Sequence, residues 1–281
     1  GPLVEADILD VDSLEAAFHG QRFGAVLHFC ARSLVGESMS APYDYYENNV
    51  VGTLNLLRVM RRHAVDRIVF SSTAAVFGNP VAALIDEDHP KAPINPYGAS
   101  KLMVERMLAD AAHAYGLRSV CLRYFNAAGA SAEDGIGESH EPEAHLIPNL
   151  LRALINPAAP LKVFGQDYPT PDGTCVRDYV HVLDLADAHV RALDHMDAAP
   201  GAHAFNLGNG TGFSVMQVIR AAERVTGLPV PFEQAPRRAG DPPVLVAASK
   251  RARDILGWSP VYTDIEDILR TAWDWHRAAA F

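Results

Sequence analysis

The chain has 281 residues, 49% hydrophobic and 21% charged, which is the balance of an ordinary globular protein rather than a disordered or fibrous one. A formal net charge of −10 argues against nucleic acid or an anionic membrane surface as the main partner, and no apolar run reaches membrane-spanning length. Cys30, Cys121 and Cys175 show no metal-binding spacing and read as reduced thiols of a cytoplasmic protein.

The first segment, Leu3 to Ile8, reads as a strand, and a short helix is expected from Val11 to His19. Ala25 to Phe29 is a short apolar run of the kind buried in parallel sheets. A polar connection, Ala31 to Ser40, leads to a long helix from about Tyr43 to Arg62. Strands follow at Arg67–Phe70 and Ser119–Tyr124, with a Pro-rich loop (Asn79 to Asn95) and a helix opening near Tyr97 between them. Strand and helix alternating at this spacing predict βαβ units and an α/β fold, a doubly wound parallel sheet of Rossmann type.

After Asn126 the texture changes. Gly129 to Pro148 is rich in Gly, Glu and His, and Leu161–Gly165 reads as a short strand before a turn-rich loop, Asp167 to Gly173. Helices are expected at about Val182–Met196, Val215–Thr226, Lys250–Leu256 and Asp264–Trp275, with a strand at Ala204–Leu207. This predicts a smaller mixed α/β substrate domain over residues 126–173 and 208–281. The sheet domain takes residues 1–125, with 174–207 returning to it.

The motif N-P-Y-G-A-S-K, Asn95 to Lys101, places Tyr97 and Lys101 four residues apart on a helix whose first turn suits Pro96. Positions i and i+4 share a helical face. A free phenol titrates near 10, and a neighbouring cation lowers that value, so the pair can work as a proton-transfer device. Such a pair also arises by chance in helices with one packed Tyr and one solvated Lys. In parallel sheets ligands bind beyond the carboxyl ends of strands. Phe29-Cys30-Ala31, Ser71-Ser72-Thr73 and Phe125-Asn126 all stand at such ends, which favours one shared cleft.

Two further stretches look like sites and are read as something else. His140-Glu141-Pro142-Glu143-Ala144-His145 has its histidines five apart, with a proline between them, so a helix could not present both to one metal ion. No metal is expected. Gly208-Asn209-Gly210-Thr211-Gly212 lacks the G-x-G-x-x-G spacing and reads as a turn.

The run from Ser71 to Gly78 followed by N-P-Y-G-A-S-K resembles the extended short-chain dehydrogenases/reductases. The segments 28–38, 45–54, 122–130, 163–189 and 236–241 are similar to those of UDP-glucose 4-epimerases within that family, Y-P-T-P-D-G-T-C-V-R-D-Y being the most specific. The resemblance implies NAD as a bound cofactor, a UDP-sugar substrate, a role in galactose metabolism and a homodimer formed through the helices near Tyr43–Arg62 and Tyr97–Tyr115. It implies Tyr97 as the base on the sugar 4-hydroxyl, Lys101 as the group that lowers its pKa and holds the nicotinamide ribose, and Thr73 as the bridge between the two hydroxyls. By the same carry-over Asp7 and Ile8 flank the adenine. Phe29, Cys30, Ala31, Ser33, Asn48 and Ser71 line the cofactor, with Tyr124 near the nicotinamide. Phe125, Asn126, His145, Leu146, Phe164, Arg177, Tyr179, Arg238 and Asp241 meet the UDP-sugar, the two arginines as forks for the diphosphate.

Departures from the family pattern bear on specificity. Ser33 stands where some members carry a lysine, His145 where others have asparagine, and Leu245 where a tyrosine or a small residue gates an N-acetyl group. The alternative substrates are therefore UDP-N-acetylhexosamines or UDP-pentoses. A dehydratase is disfavoured because Ala74 and Ala75 follow Thr73 in place of an acid–base pair. The strand–glycine turn–helix unit with which family members open, about 30 residues or more, is not in this sequence. A chain without it is expected to bind NAD poorly and to be insoluble or inactive. A non-catalytic UDP-sugar-binding chain is the reading from another class.

Overall fold

The structure, a computed structural model, describes residues 2–238 and 241–278. In chain order it runs α1 (Val11–Phe18), β1 (Val26–His28), α2 (Val35–Ser40), α3 (Pro42–Tyr45), a π-helical turn (Tyr46–Val51), α4 (Gly52–Arg62), β2 (Arg67–Thr73), a 3-10 turn (Ala74–Phe77), α5 (Pro96–Tyr115), β3 (Arg118–Tyr124) and β4 (Asn126–Ala128). It continues with α6 (Leu146–Ile155), β5 (Leu161–Phe164), β6 (Val176–Arg177), β7 (Tyr179–His181), α7 (Val182–Ala198), β8 (Ala202–Leu207) and β9 (Phe213–Ser214). The last elements are α8 (Val215–Thr226), β10 (Phe232–Ala235), β11 (Val244–Leu245), α9 (Lys250–Leu256) and α10 (Ile265–Ala278).

Two compact units emerge. One holds residues 2–79, Asp88–Arg123 and His189–Phe205; the other holds Pro80–Glu87, Tyr124–Ala188 and the described residues from Asn206 on. Residues 174–188, which the sequence reading places with the sheet domain, lie in the second unit. There β6 pairs with β9 and β11, and β7 with β4.

The first unit is built on a sheet in the order β1-β2-β3-β8, with β1 and β2 parallel in the register Val26↔Ile68, Leu27↔Val69, His28↔Phe70. On one side Ile68 and Phe70 of the sheet meet Leu14 and Phe18 of α1, Leu56, Val59 and Met60 of α4, and Val104 and Leu108 of α5. Each large apolar side chain buried there contributes roughly 1.5–3 kcal/mol. The amphipathic spacing of α4 accounts for its buried face. The long helix expected from Tyr43 is interrupted, however: α3 passes into a π-helical turn before α4 begins. The polar connection 31–40 contains α2, which the sequence reading leaves out.

The segment Leu3–Ile8 is not a strand. Leu3 is 98% exposed and Val4 56%, and no described strand pairs with them. A β-propensity run becomes a strand only against a neighbouring backbone.

Helix α5 starts where the sequence places it. The Asn95 carboxamide oxygen accepts from the Gly98 N–H at 2.8 Å, Pro96 fills the first turn, and Gly116 ends the helix in the left-handed conformation. A Cβ on Gly98 would come within 2.4 Å of the Ala75 carbonyl oxygen. Glycine there lets the first turn of α5 close on the 3-10 turn that follows Thr73.

A buried ion pair fixes the sheet end that carries Thr73. The Arg123 guanidinium donates to both carboxylate oxygens of Glu105 at 2.8 and 2.6 Å, and the Ser72 hydroxyl donates to the same carboxylate at 2.6 Å. Their side chains are 4% and 9% exposed. Truncating Glu105 to alanine strands the guanidinium without its counter-charge, so Glu105→Ala is expected to lower unfolding stability by about 3–5 kcal/mol. Urea unfolding at fixed NAD concentration measures it; a loss under about 1 kcal/mol would show that the pair contributes little.

The second unit is made of small sheets: β10 with β5, β11-β6-β9, and β4 with β7. Its core joins Leu150 and Leu151 of α6, Val218 and Ile219 of α8, and Ile268 and Leu269 of α10. Helix α6 was not foreseen. Its apolar positions follow a Gly- and Glu-rich stretch, and Pro148 lies in its first turn, where a missing N–H costs nothing.

Candidate active site

Thr73, Tyr97 and Lys101 belong to one unit and to adjoining elements: the end of β2, the first turn of α5 and the turn above it. The Thr73 hydroxyl oxygen accepts from the Ala75 N–H at 3.1 Å, which leaves its own hydrogen to donate. Tyr97 is half-buried, with its ring edge-to-face against Tyr45 at 6.5 Å. The Lys101 ammonium lies 5.9 Å from the Tyr97 ring centroid and 4.7 Å from that of Phe70, and it donates to the Ser71 carbonyl at 2.7 Å.

Lys101 is 2% exposed, and burial lowers its pKa from 10.5 to about 8. It is still largely protonated at neutral pH. His28, one strand over, is held neutral: burial, then the Lys101 charge, pulls its pKa down to about 4. Its Nε2 is 2.8 Å from the Thr53 hydroxyl.

Several supporting residues were missed by the sequence reading. Asn49, beside the expected Asn48, is buried and spans the site. Its carboxamide accepts from the Arg32 N–H at 2.8 Å and donates to the Arg32 carbonyl at 3.1 Å and to the Ser100 hydroxyl at 3.0 Å. Ser100 in turn donates to the Tyr97 carbonyl at 2.7 Å. The chain after β1 is thus tied through one side chain to the first turn of α5. No local sequence pattern marks Asn49; it lies in the π-helical turn, a distortion common at functional sites. Asn48 itself donates to Asn49 at 3.0 Å.

The residues assigned to the adenosine end come together. Asp7, Ile8 and Cys30 line a cleft of about 480 Å³ with Glu5, Ala6, Asp10 and Ser13. Phe29 is 55% exposed and packs on His189 at 4.9 Å. Ala31 is half-buried and Ser33 exposed, while Tyr124 closes β3 half-buried.

In the second unit the expected substrate residues fall into small groups. Arg238 lies over the Phe164 ring at 3.9 Å. Arg177 is buried and ion-paired with Asp241, and it donates to the carbonyls of Val176 at 2.7 Å and Pro242 at 2.8 Å. As placed it ties β6 to the 241–242 segment, whereas Arg238 is exposed. Asn126 is paired with Tyr179 in the β4–β7 ladder, and its side chain donates to the Asp178 carbonyl at 3.0 Å. Phe125 precedes β4, half-buried; Tyr179 is buried, and Leu245 sits in β11 opposite Arg177. His145 caps α6 just before Leu146, with its ring bonded to Glu138.

The glycine-rich turn at 208–212 holds an internal carboxylate. Asp178 accepts from the backbone N–H groups of Asn209 at 2.8 Å, Gly210 at 3.1 Å and Ala247 at 3.1 Å. A Cβ on Gly208 would lie 2.4 Å from the same carboxylate. Burial raises the Asp178 pKa from 3.8 to about 6 against those hydrogen bonds. A carboxyl raised on folding contributes most stability when protonated, below about pH 4, and loses it as pH rises through 6. The stability of the wild type relative to Asp178→Asn is therefore expected to fall by about 2 kcal/mol between pH 4 and pH 7. Denaturant unfolding of both proteins at the two pH values tests this, and a constant difference would refute it.

A strand-end hydroxyl, a helix-borne phenol and a desolvated ammonium on a parallel sheet are the means of a dinucleotide-dependent enzyme acting on alcohols and ketones. The chain belongs to the NAD dependent epimerase/dehydratase family, whose model matches residues 2–208. It is 51% identical over 271 residues to a UDP-glucose 4-epimerase of Halalkalibacterium halodurans, covering 96% of this chain and 81% of that protein. Among solved structures it superposes with TM-score 0.93 and 48% identity on the UDP-glucose 4-epimerase of Brucella ovis in complex with NAD, over 98% of this chain and 84% of that one. The enzyme of Bifidobacterium longum in complex with NAD+ and UDP gives TM-score 0.93 and 40% identity, over 97% and 82%.

Proposed function

We propose that this protein interconverts UDP-glucose and UDP-galactose by NAD-dependent inversion at the sugar C4, through a 4-keto sugar. The observation that carries the reading is the buried Lys101 ammonium beside Tyr97, within the family match and the level of identity to UDP-glucose 4-epimerases.

The residues present fit NAD. The cleft at Asp7, Ile8 and Cys30 combines apolar side chains with carboxylates that can accept from an adenosine, and Lys101 has donors beyond the one given to Ser71. When bound, NAD accepts and returns the hydride at its nicotinamide. Tyr97 then takes the proton of the 4-hydroxyl and later gives it back, which requires the phenol within hydrogen-bond reach of that oxygen. Thr73, with its oxygen held by the Ala75 N–H, donates to the phenolate or the sugar oxygen. Lys101 supplies the positive charge that makes the phenolate accessible near neutral pH. Arg238, stacked on Phe164, and Arg177 are proposed to bind the diphosphate, with Asn126, His145, Leu146, Tyr179 and Asp241 completing the UDP-sugar contacts.

Turnover of UDP-galactose to UDP-glucose by the NAD-loaded protein, set beside UDP-N-acetylgalactosamine, tests the reading. The hexose is expected to turn over faster, since Leu245 is larger than the small residues that admit an N-acetyl group. A protein that binds UDP-sugars without turnover would overturn it. A homodimer in a reducing cytoplasm is part of the proposal, supported by exposed Val51, Met103 and Tyr115 on the π-helical turn and α5 and by three free thiols. A sedimentation mass of one chain would refute the dimer.

A further inference from the structure

The stretch from Glu138 to His145 does what its spacing argued against. It is a loop, so the helical rule of one face per four residues does not apply, and the chain folds both histidines onto one carboxylate. His140 Nδ1 is 3.0 Å from Glu138 Oε1, and His145 Nδ1 bonds the same oxygen. Glu143 approaches His145 Nδ1 at 3.4 Å. One ligand atom from each of the four side chains lies within 4.8 Å of the other three.

Two observations separate this from a chance cluster of charges. The Glu143 side chain is only 1% exposed, and its Oε2 is buried without a hydrogen-bond partner, while Oε1 accepts from the N–H groups of Ala144 and His145, both at 2.8 Å. A buried carboxylate oxygen with no donor is costly, and a cation would satisfy it. Secondly, the backbone carbonyl of every residue in the cluster is held from outside. Trp275 Nε1 donates to the carbonyl of Glu138 at 2.9 Å and Arg152 to that of His140 at 3.0 Å. The Asn149 side chain donates to the carbonyls of Glu143 at 3.3 Å and His145 at 2.9 Å. Helices α6 and α10 thus set four ligand residues in place before any ion arrives.

We propose that Glu138, His140, Glu143 and His145 form a binding site for a divalent transition metal ion of the zinc class. Two imidazoles and two carboxylates are a borderline donor set that suits Zn2+ and discriminates against Mg2+. Tetrahedral zinc with bonds near 2.1 Å needs ligand atoms about 3.4 Å apart. The ligand atoms here lie within 4.8 Å of one another, so the longest separation need shorten by no more than about 1.4 Å. On binding, each imidazole nitrogen gives up its proton or its hydrogen bond to the carboxylate and coordinates instead, so protons are released to solvent. Two carboxylates neutralise the ion. The site lies wholly in the second unit and shares His145 with the UDP-sugar contacts proposed above, so it is tested by metal binding and not by turnover.

The test is titration of tag-free, NAD-loaded protein with Zn2+ against a chromophoric chelator, and with Co2+ followed by visible absorption. One equivalent is expected to bind at micromolar or lower Kd, with the intense bands of a tetrahedral cobalt site, and a 100-fold excess of Mg2+ should not displace it. His140→Ala and Glu143→Gln should each weaken binding at least tenfold, while His113→Ala, a histidine elsewhere, should not. Near-ultraviolet circular dichroism confirms that the variants are folded. Weak binding of several equivalents, or equal affinity in wild type, His140→Ala and Glu143→Gln, would overturn the proposal.

Discussion

Replacing Tyr97 by phenylalanine is expected to lower kcat by about 10²–10⁴-fold, the range that a positioned general base supplies, with KM for the UDP-sugar changed less than threefold. The separation of the two constants follows from what the substitution removes. The ring stays, and with it the edge-to-face packing on Tyr45 at 6.5 Å. The helix start is untouched, because Asn95, Pro96 and the Ser100 bond to the Tyr97 carbonyl do not involve the phenol. Only the oxygen that moves the proton is lost, so the effect belongs to the transition state and not to ground-state binding. Stopped assays of UDP-galactose turnover on the NAD-loaded protein measure it. A variant within threefold of wild-type kcat would remove Tyr97 from the mechanism and leave Thr73 to be considered as the proton acceptor.

The same assay distinguishes the chemical group from its support. Asn49 reaches the site through Arg32 and Ser100, so its role is to position the chain after β1 and the first turn of α5. The phenol, by contrast, is the group proposed to move the proton. This division between a reactive atom and the hydrogen bonds that aim it is general in sites built on rigid elements.

What the sequence could and could not reveal follows the range of the interactions. Helix α5 was legible from Pro96, because a first-turn proline acts over three or four residues. The pairing of Tyr97 with Lys101 was legible for the same reason. Asn49 was not, since its partners lie 17 and 51 residues away and no local pattern marks them. The ion pair of Arg123 with Glu105 was hidden likewise, behind two charged residues that would ordinarily be assigned to the surface. The strand expected at Leu3–Ile8 failed in the opposite sense: a local propensity was present, but no described strand pairs with it. The convergence of His140 and His145 on Glu138 was not foreseen because a helical period was applied to a loop. The stretch at Gly208 was read as a turn, and what it does, wrapping Asp178, depends on a residue 30 positions earlier.

Lys101→Met should move activity and stability in opposite directions. Activity is expected to fall at least a hundredfold, because the cation that favours the phenolate is gone. Stability of the NAD-free protein at pH 7 should nevertheless rise. Holding the ammonium 2% exposed lowers its pKa from 10.5 to about 8, which corresponds to about 3 kcal/mol of unfavourable free energy in the charged form. Methionine has a similar length and no charge to desolvate. Against this, the bond from Lys101 to the Ser71 carbonyl at 2.7 Å is lost, at about 1 kcal/mol. The balance is a gain of about 2 kcal/mol for the variant at pH 7. The sign with pH follows from the lowered pKa: between 8 and 10.5 the unfolded lysine binds more protons than the folded one, so the wild type gains stability as pH rises through that window. The advantage of the variant should therefore shrink by pH 10. Urea unfolding at pH 7 and pH 10 measures both. A variant less stable than wild type at pH 7, or an advantage that does not change with pH, would mean that the folded protein compensates the buried charge by interactions stronger than the Ser71 carbonyl and the Phe70 face, and that Lys101 is held for stability as well as for chemistry.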